Sequence, residues 1–170
     1  MAASNTIDLA GLQLRSGEGR RVDVALGEDA LEYGGQRYDV TSAGAATVEV
    51  SRMAHGYAFH LRFDGRLAGP CMRCLSDALI EAEVDAREID HPGGGEEMES
   101  PYVDGEELCI GDWAHEALAL ALPDKLLCRA DCAGLCPVCG ESLNEAEPGA
   151  HEHPREPDPR WDALRELKLD

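Results

Sequence analysis

The sequence predicts an α+β fold: an antiparallel, β-rich N-terminal part with one core helix, a cysteine-rich zinc knuckle and a short C-terminal helix. Three observations predict it. Apolar and polar residues alternate along much of the first ninety positions, the period of half-buried strands. One helical stripe, bounded by stop signals, follows an acidic glycine-rich loop. After it, "CRADCAGLCPVCG", residues 128–140, crowds four cysteines into one short stretch.

Taken in order, Val22, Val24 and Leu26 alternate with Asp23 and Ala25. "GEDALEYGGQRYDV" fits a small hairpin with Gly34 and Gly35 at its tip, because paired glycines accept the positive φ that a tight hairpin turn requires. Tyr57, Phe59, Leu61 and Phe63 alternate with Ala58, His60, Arg62 and Asp64, and the preceding His55-Gly56 fits a turn. Ile80, Ala82, Val84 and Ala86 alternate with Glu81, Glu83, Asp85 and Arg87. Residues 91–107, "HPGGGEEMESPYVDGEE", have too little apolar content to bury and are expected to form a mobile loop.

"GDWAHEALALALP" then reads as a helix. Asp112 is the expected N-cap, Pro123 the stop, and Trp113, Ala117, Leu120 and Ala121 the buried face. Beyond the cysteines, "EAEPGAHEHPREPD" is polar and extended in character. In "DPRWDALRELKLD", Asp158 can cap and Pro159 suits the first helical position, with Trp161, Leu164 and Leu167 as a stripe. The expected organisation is one β-rich domain over 1–144, with an extended tail and short terminal helix over 145–170.

The chain has 170 residues and 44% apolar content, enough for one globular core, but only 5% aromatic residues. No run of eighteen apolar residues exists, so no membrane span is expected. The N-terminal "MAASNTIDLAG" lacks a basic region followed by an apolar one, so no secretory signal is read and a cytoplasmic, thiol-reducing location is expected.

Formal net charge is −19. Residues 85–112 carry ten acids (Asp85, Glu88, Asp90, Glu96, Glu97, Glu99, Asp104, Glu106, Glu107, Asp112) against Arg87 alone. Such a surface repels a polyphosphate backbone, whose affinity comes from Lys and Arg displacing counterions. A solvated segment or a dock for a basic partner fits better. Cations that could touch RNA fall in the strand region, at Arg52, Arg62, Arg66 and Arg73.

The seven cysteines are 71, 74, 109, 128, 132, 136 and 139. An odd count without a secretory signal argues against a disulfide framework. C-x-x-C, found at 71–74 and 136–139, lets two thiolates converge on one ion, and Gly140 supplies the backbone freedom such a knuckle needs. Two pairs complete a tetrahedral, closed and therefore structural zinc site. The favoured set is local: Cys128, Cys132, Cys136 and Cys139. The competing set is Cys71 and Cys74 with Cys136 and Cys139. Cys109 reads as a buried structural thiol, and His151 and His153 as surface residues that could substitute as ligands. A thiol oxidoreductase is the rival reading of "CPVC", but such motifs sit between a strand and a helix of a βαβ unit, a pattern missing around it. Nucleophile-elbow, phosphate-loop, dinucleotide and H-E-x-x-H motifs are also absent. A binding or assembly factor is expected rather than an enzyme.

The stretches "CMRCL" (71–75), "LCRADCAGLCPVCGESLN" (127–144) and "DPRWDAL" (158–164) together resemble the YceD family in content, order and separation. The resemblance implies a β-rich part running into C-x-R-C, an acidic loop, a helix, the cysteine cluster and a last short helix. It also implies a role in accumulation of large-subunit (23S) ribosomal RNA, and so in ribosome assembly. Where some members carry further cysteines after the "LN", this chain has His151 and His153. A strongly acidic member is expected to act through a basic ribosomal protein or the nascent large-subunit precursor. Direct binding of ribosomal RNA is the alternative.

Overall fold

The computed structural model describes residues 6–42, 44–147 and 149–153. The expected C-terminal helix around Trp161, Leu164 and Leu167 lies outside the described residues. Alternation becomes strands as expected: β1 (Thr6–Asp8), β2 (Gly19–Ala25), β3 (Asp29–Tyr33), β4 (Gln36–Ser42), β5 (Ala45–Arg52), β6 (Tyr57–Pro70), β7 (Asp77–Asp90), β8 (Val103–Asp104) and β9 (Glu107–Cys109). A helix, α1, spans Ile110–Ala121.

The long hairpin β6–β7 organises the main sheet. It pairs without interruption from Tyr57↔Asp90 to Pro70↔Asp77. The other edge of β6 is shared. Its first half pairs with β5 and its second half with β4; β2 flanks β5 and β3 flanks β4. The period of two therefore puts Phe59, Leu61, Phe63 and Leu67 of β6 on one face with Ile80, Ala82 and Val84 of β7, all buried. Gly34 and Gly35 turn the β3–β4 hairpin at φ 60° and 77°.

Helix α1 covers that apolar face. Its buried residues are Ile110, Trp113, Ala114, Ala117 and Leu118. The buried stripe differs from the expected one: Leu120 is 81% exposed and Ala121 is exposed too, because the face turned to the sheet runs through 110, 113/114 and 117/118, with Leu120 to its side and Ala121 in the last turn. Asp112 is likewise not the cap. Strand β9 runs straight into the helix, Cys109 takes the cap position without a side-chain hydrogen bond, and Asp112 stands in the first turn, where a carboxylate still complements the helix dipole. Pro123 does end the helix, with Leu122 already extended. Trp113 packs edge-on against Phe59 and stacks with Tyr102, at centroid distances of 6.2 and 6.1 Å. Close approach of helix and sheet depends on Gly65, since a Cβ there would lie 2.6 Å from Leu118 Cδ1.

The acidic segment after β7 has more structure than its composition suggests. Carboxylates hold its backbone: Ser100 N–H donates to buried Asp90 (3.1 Å) and Gly93 N–H to Glu99 (3.0 Å). A 3-10 turn spans Glu96–Met98, and β8, β9 and β1 form a small second sheet. Hydrogen bonding by side chains replaces apolar burial as the ordering force. Among the described residues no helix is long and apolar enough to cross a membrane.

Gly56 closes the β5–β6 turn at φ +88°, and a Cβ there would fall 1.8 Å from the carbonyl oxygen of Asp90. Gly56→Ala must therefore displace backbone rather than a side chain. A loss of about 2–4 kcal/mol is expected, from the left-handed φ and the clash together. Denaturant unfolding measures it, and a change within about 0.5 kcal/mol would contradict the geometry.

Candidate metal centre

Two knuckles of the same local shape are built at different places. In the first, the β6–β7 connection, Leu75 N–H donates to Cys71 O (2.9 Å) and Arg73 N–H points at Cys71 Sγ (3.5 Å). In the second, Gly140 N–H donates to Cys136 O (2.8 Å). The residue after each second cysteine has a positive φ, 60° for Leu75 and 76° for Gly140. Glycine suits that conformation; leucine is held there by the turn.

The segment after α1 folds back onto the first knuckle. Met72 N–H donates to Leu126 O (2.9 Å), and Arg73 Nη1 donates to Cys132 O (2.6 Å). These bonds bring Cys128 and Cys132 against Cys71 and Cys74. Cys71 Sγ lies 3.8 Å from Cys132 Sγ, and Cys74 Sγ 3.6 Å from Cys128 Sγ. Zinc–thiolate bonds of about 2.3 Å in a tetrahedron give sulfur–sulfur edges of about 3.8 Å. The four sulfurs lie within 4.8 Å of one another, and three of the four residues are buried. This quartet fits a four-coordinate thiophilic cation.

Neither expected ligand set is the group that forms. The structure divides the local set, Cys128, Cys132, Cys136 and Cys139, and also separates Cys71 and Cys74 from Cys136 and Cys139. Its groups are Cys71, Cys74, Cys128 and Cys132, and separately Cys136, Cys139, His151 and His153. The reason lies at 134–143. Gly134 takes φ 84°, Leu135 bridges Ser142, and Leu143 N–H donates to Gly134 O (2.8 Å). This small hairpin puts the 136–140 knuckle at its own tip. His151 and His153, expected at the surface, are half-buried beside it. Cys109 is half-buried and outside both groups.

Thiol acidities reflect this wiring. Ser76, through its hydroxyl and backbone N–H, holds Cys74 down at about 6. Burial opposes ionisation of Cys71, but the N–H groups of Arg73, Cys74 and Cys128 outweigh it and leave the thiol below its ordinary value. Burial and the neighbouring Cys74 thiol push Cys128 up to about 11. In the second group, the N–H groups of Cys139 and Val138 bring Cys136 to about 7. Backbone N–H groups aimed at sulfur are what a thiolate ligand needs.

Asn144 was not visible as a site residue from spacing. It accepts from Ala133 N–H (2.8 Å) and points its amide at Cys132 Sγ (3.6 Å). Ser76, 2.8 Å from Cys74 Sγ, is the other addition. Only the "LN" of the motif hinted at Asn144. Among the described residues α1 is the one α-helix, and neither C-x-x-C opens it, the position at which a helix N-terminus activates a redox thiol.

Every arginine singled out for RNA is engaged within the protein. Arg62 Nη2 bonds Glu49, and Arg66 Nε donates to Glu81 at 3.1 Å. Arg52 stands 4.4 Å above the Tyr57 ring, and Arg73 is bound to Cys132 O.

The family model described as "Large ribosomal RNA subunit accumulation protein YceD" matches residues 59–168. The chain belongs to the YceD family. The match begins on β6 and takes in all the cysteines of both groups. An uncharacterized protein of Mycobacterium tuberculosis is 38% identical over 105 residues, 58% of this chain and 49% of its own length. An uncharacterized protein of Mycobacterium leprae is 46% identical over 104 residues, 57% of this chain and 46% of its own. The chain thus spans about half the length of the curated relatives it matches. No solved structure matches this YceD member significantly.

Proposed function

We propose that this YceD member supports accumulation of large-subunit ribosomal RNA by docking a basic ribosomal protein, or the protein surface of a nascent large subunit, on the outer face of its main sheet. One observation carries the reading: that face has an excess of acid. Asp64, Asp77, Glu81, Glu83 and Asp85 are exposed there and Glu49 is half-buried, with Arg62, Arg66 and Arg87 exposed beside them. Two of the three arginines are already paired with Glu49 and Glu81. Asp64 and Glu83 stand directly opposite one another across β6 and β7. Among the described residues neither has an ion-pair partner. Like charges in register cost stability, and a basic partner offsets that cost. Exposed Leu79 and Ile89 flank the acids on the same strand and supply apolar anchors.

Zinc belongs in this reading as the structural ion of Cys71, Cys74, Cys128 and Cys132. It ties the end of the β6–β7 hairpin to the segment after α1. Its binding energy becomes folding energy for a segment with few core residues. The chemistry is that of a closed site with no open position for substrate.

The test is affinity capture of the full chain from its own cells at low salt, with and without nuclease, followed by mass spectrometry. The expected result is a basic large-subunit protein retained after nuclease and released as salt rises. Loss of all large-subunit components on nuclease treatment would instead favour direct RNA binding.

A further inference from the structure

We infer that Cys136, Cys139, His151 and His153 form a second zinc site, of the Cys2His2 type, independent of the four-cysteine site. The two groups share no residue, and the ligand atoms of the second lie within 4.8 Å of one another.

Four observations support it. First, the 136–140 knuckle has the same backbone form as the 71–75 knuckle, with an N–H bond to the first cysteine's carbonyl and a positive φ at the closing residue. It is preformed to converge two sulfurs. Second, His151 is aimed in two directions. Its Nδ1 lies 3.3 Å from Cys139 Sγ, while its Nε2 lies 3.9 Å from a Glu141 carboxylate oxygen. At 3.9 Å that carboxylate is within ion-pair range but not hydrogen-bonded; a small closure would give the carboxylate–histidine pairing that orients a ligating imidazole. Tetrahedral zinc with one sulfur and one nitrogen ligand places those atoms about 3.6 Å apart, close to the observed spacing.

Third, His153 Nε2 is buried and has no hydrogen-bond partner among the described residues. An orphaned imidazole nitrogen costs free energy beside two thiols unless something binds it. Fourth, no aliphatic or aromatic residue larger than alanine, apart from Pro148, lies between Asn144 and His151 in the sequence, so hydrophobic burial gives little reason for both imidazoles, 6.0 Å apart, to pack against the knuckle. A shared cation does. Two thiolates and two neutral imidazoles make a site of borderline softness, which suits zinc over calcium or magnesium.

Metal counting by native mass spectrometry on the untagged full chain tests the site. Two zinc ions per chain are expected, falling to one in His151→Ala/His153→Ala, with far-UV circular dichroism unchanged. Cobalt substitution gives a second readout. The wild type should hold two cobalt ions, and the double variant should lose one with its mixed sulfur–nitrogen d–d bands while keeping the four-thiolate charge-transfer intensity. Zinc content that is the same in wild type and double variant, whether two, one or none, overturns the inference. A single zinc that the double variant loses supports this site and counts against the four-cysteine one, so the two assignments fail separately.

Discussion

Cys71→Ser is expected to remove the zinc of the four-cysteine site and to cost at least about 4 kcal/mol, the range reserved for loss of a structural metal or a comparable feature. That is a large share of the roughly 5–15 kcal/mol by which an ordinary domain is stable. Cys71 is fully buried at the turn joining the two longest strands, and the sulfur 3.8 Å from its own, that of Cys132, is 61 residues away in sequence. Serine keeps the size of the side chain but offers a poor ligand for a soft-accepting ion, and it leaves three thiolates with an incomplete shell. The stretch after α1 leans on that shell: of residues 123–147, only Leu126, Cys132, Gly134 and Cys136 are buried. Thermal unfolding and zinc counting on purified variant measure the effect. A variant that retains its zinc, or melts within a few degrees of the wild type, would overturn the assignment. Cys109→Ser serves as the control, because Cys109 lies outside both groups and should leave the metal content unchanged.

Asp64→Lys is expected to move stability and binding in opposite directions. In the folded chain it converts the like-charged pair Asp64–Glu83, directly opposite across β6 and β7, into an attractive one. The gain is about 0.2–1 kcal/mol. On the proposed docking face the same change removes one acid and adds one cation. Capture of a basic large-subunit protein should fall roughly tenfold, equivalent to about 1.4 kcal/mol. The fall should be steepest at low salt, where exposed charges are least screened. A melt that rises while capture falls separates a binding role from a folding role. Unchanged capture would leave the acidic face as a solvated surface, and the proposal would fail.

The outline of the sheet was legible because a strand writes its burial into the sequence residue by residue. Phe59, Leu61 and Phe63 are buried while Arg62 and Asp64 are exposed, as the alternation implies. The helix was less legible. The expected cap at Asp112 put Leu120 on the inner face, whereas the continuous run from β9 starts the helix three residues earlier, and its buried face runs through Ile110, Ala114 and Ala117 with Leu120 beyond its edge. A cap motif is a local preference of about 1 kcal/mol, and burying Ile110 beside Leu108 outweighs it.

The cysteines divide in the same way. Spacing by itself determined that Cys71 and Cys74 form one knuckle, that Cys136 and Cys139 form another, and that zinc chemistry suits both. Those are properties of four or five consecutive residues. Alternation determined the β6–β7 hairpin, and composition determined the acidic balance. Only the tertiary structure decided which pairs meet. Cys71 and Cys74 join Cys128 and Cys132 because the chain returns along the end of the β6–β7 hairpin after α1. Cys136 and Cys139 join His151 and His153 because the 134–143 hairpin carries their knuckle away. Partners separated by 54 and 61 residues are chosen by strand register, helix length and the direction of one turn, none of which a local pattern encodes.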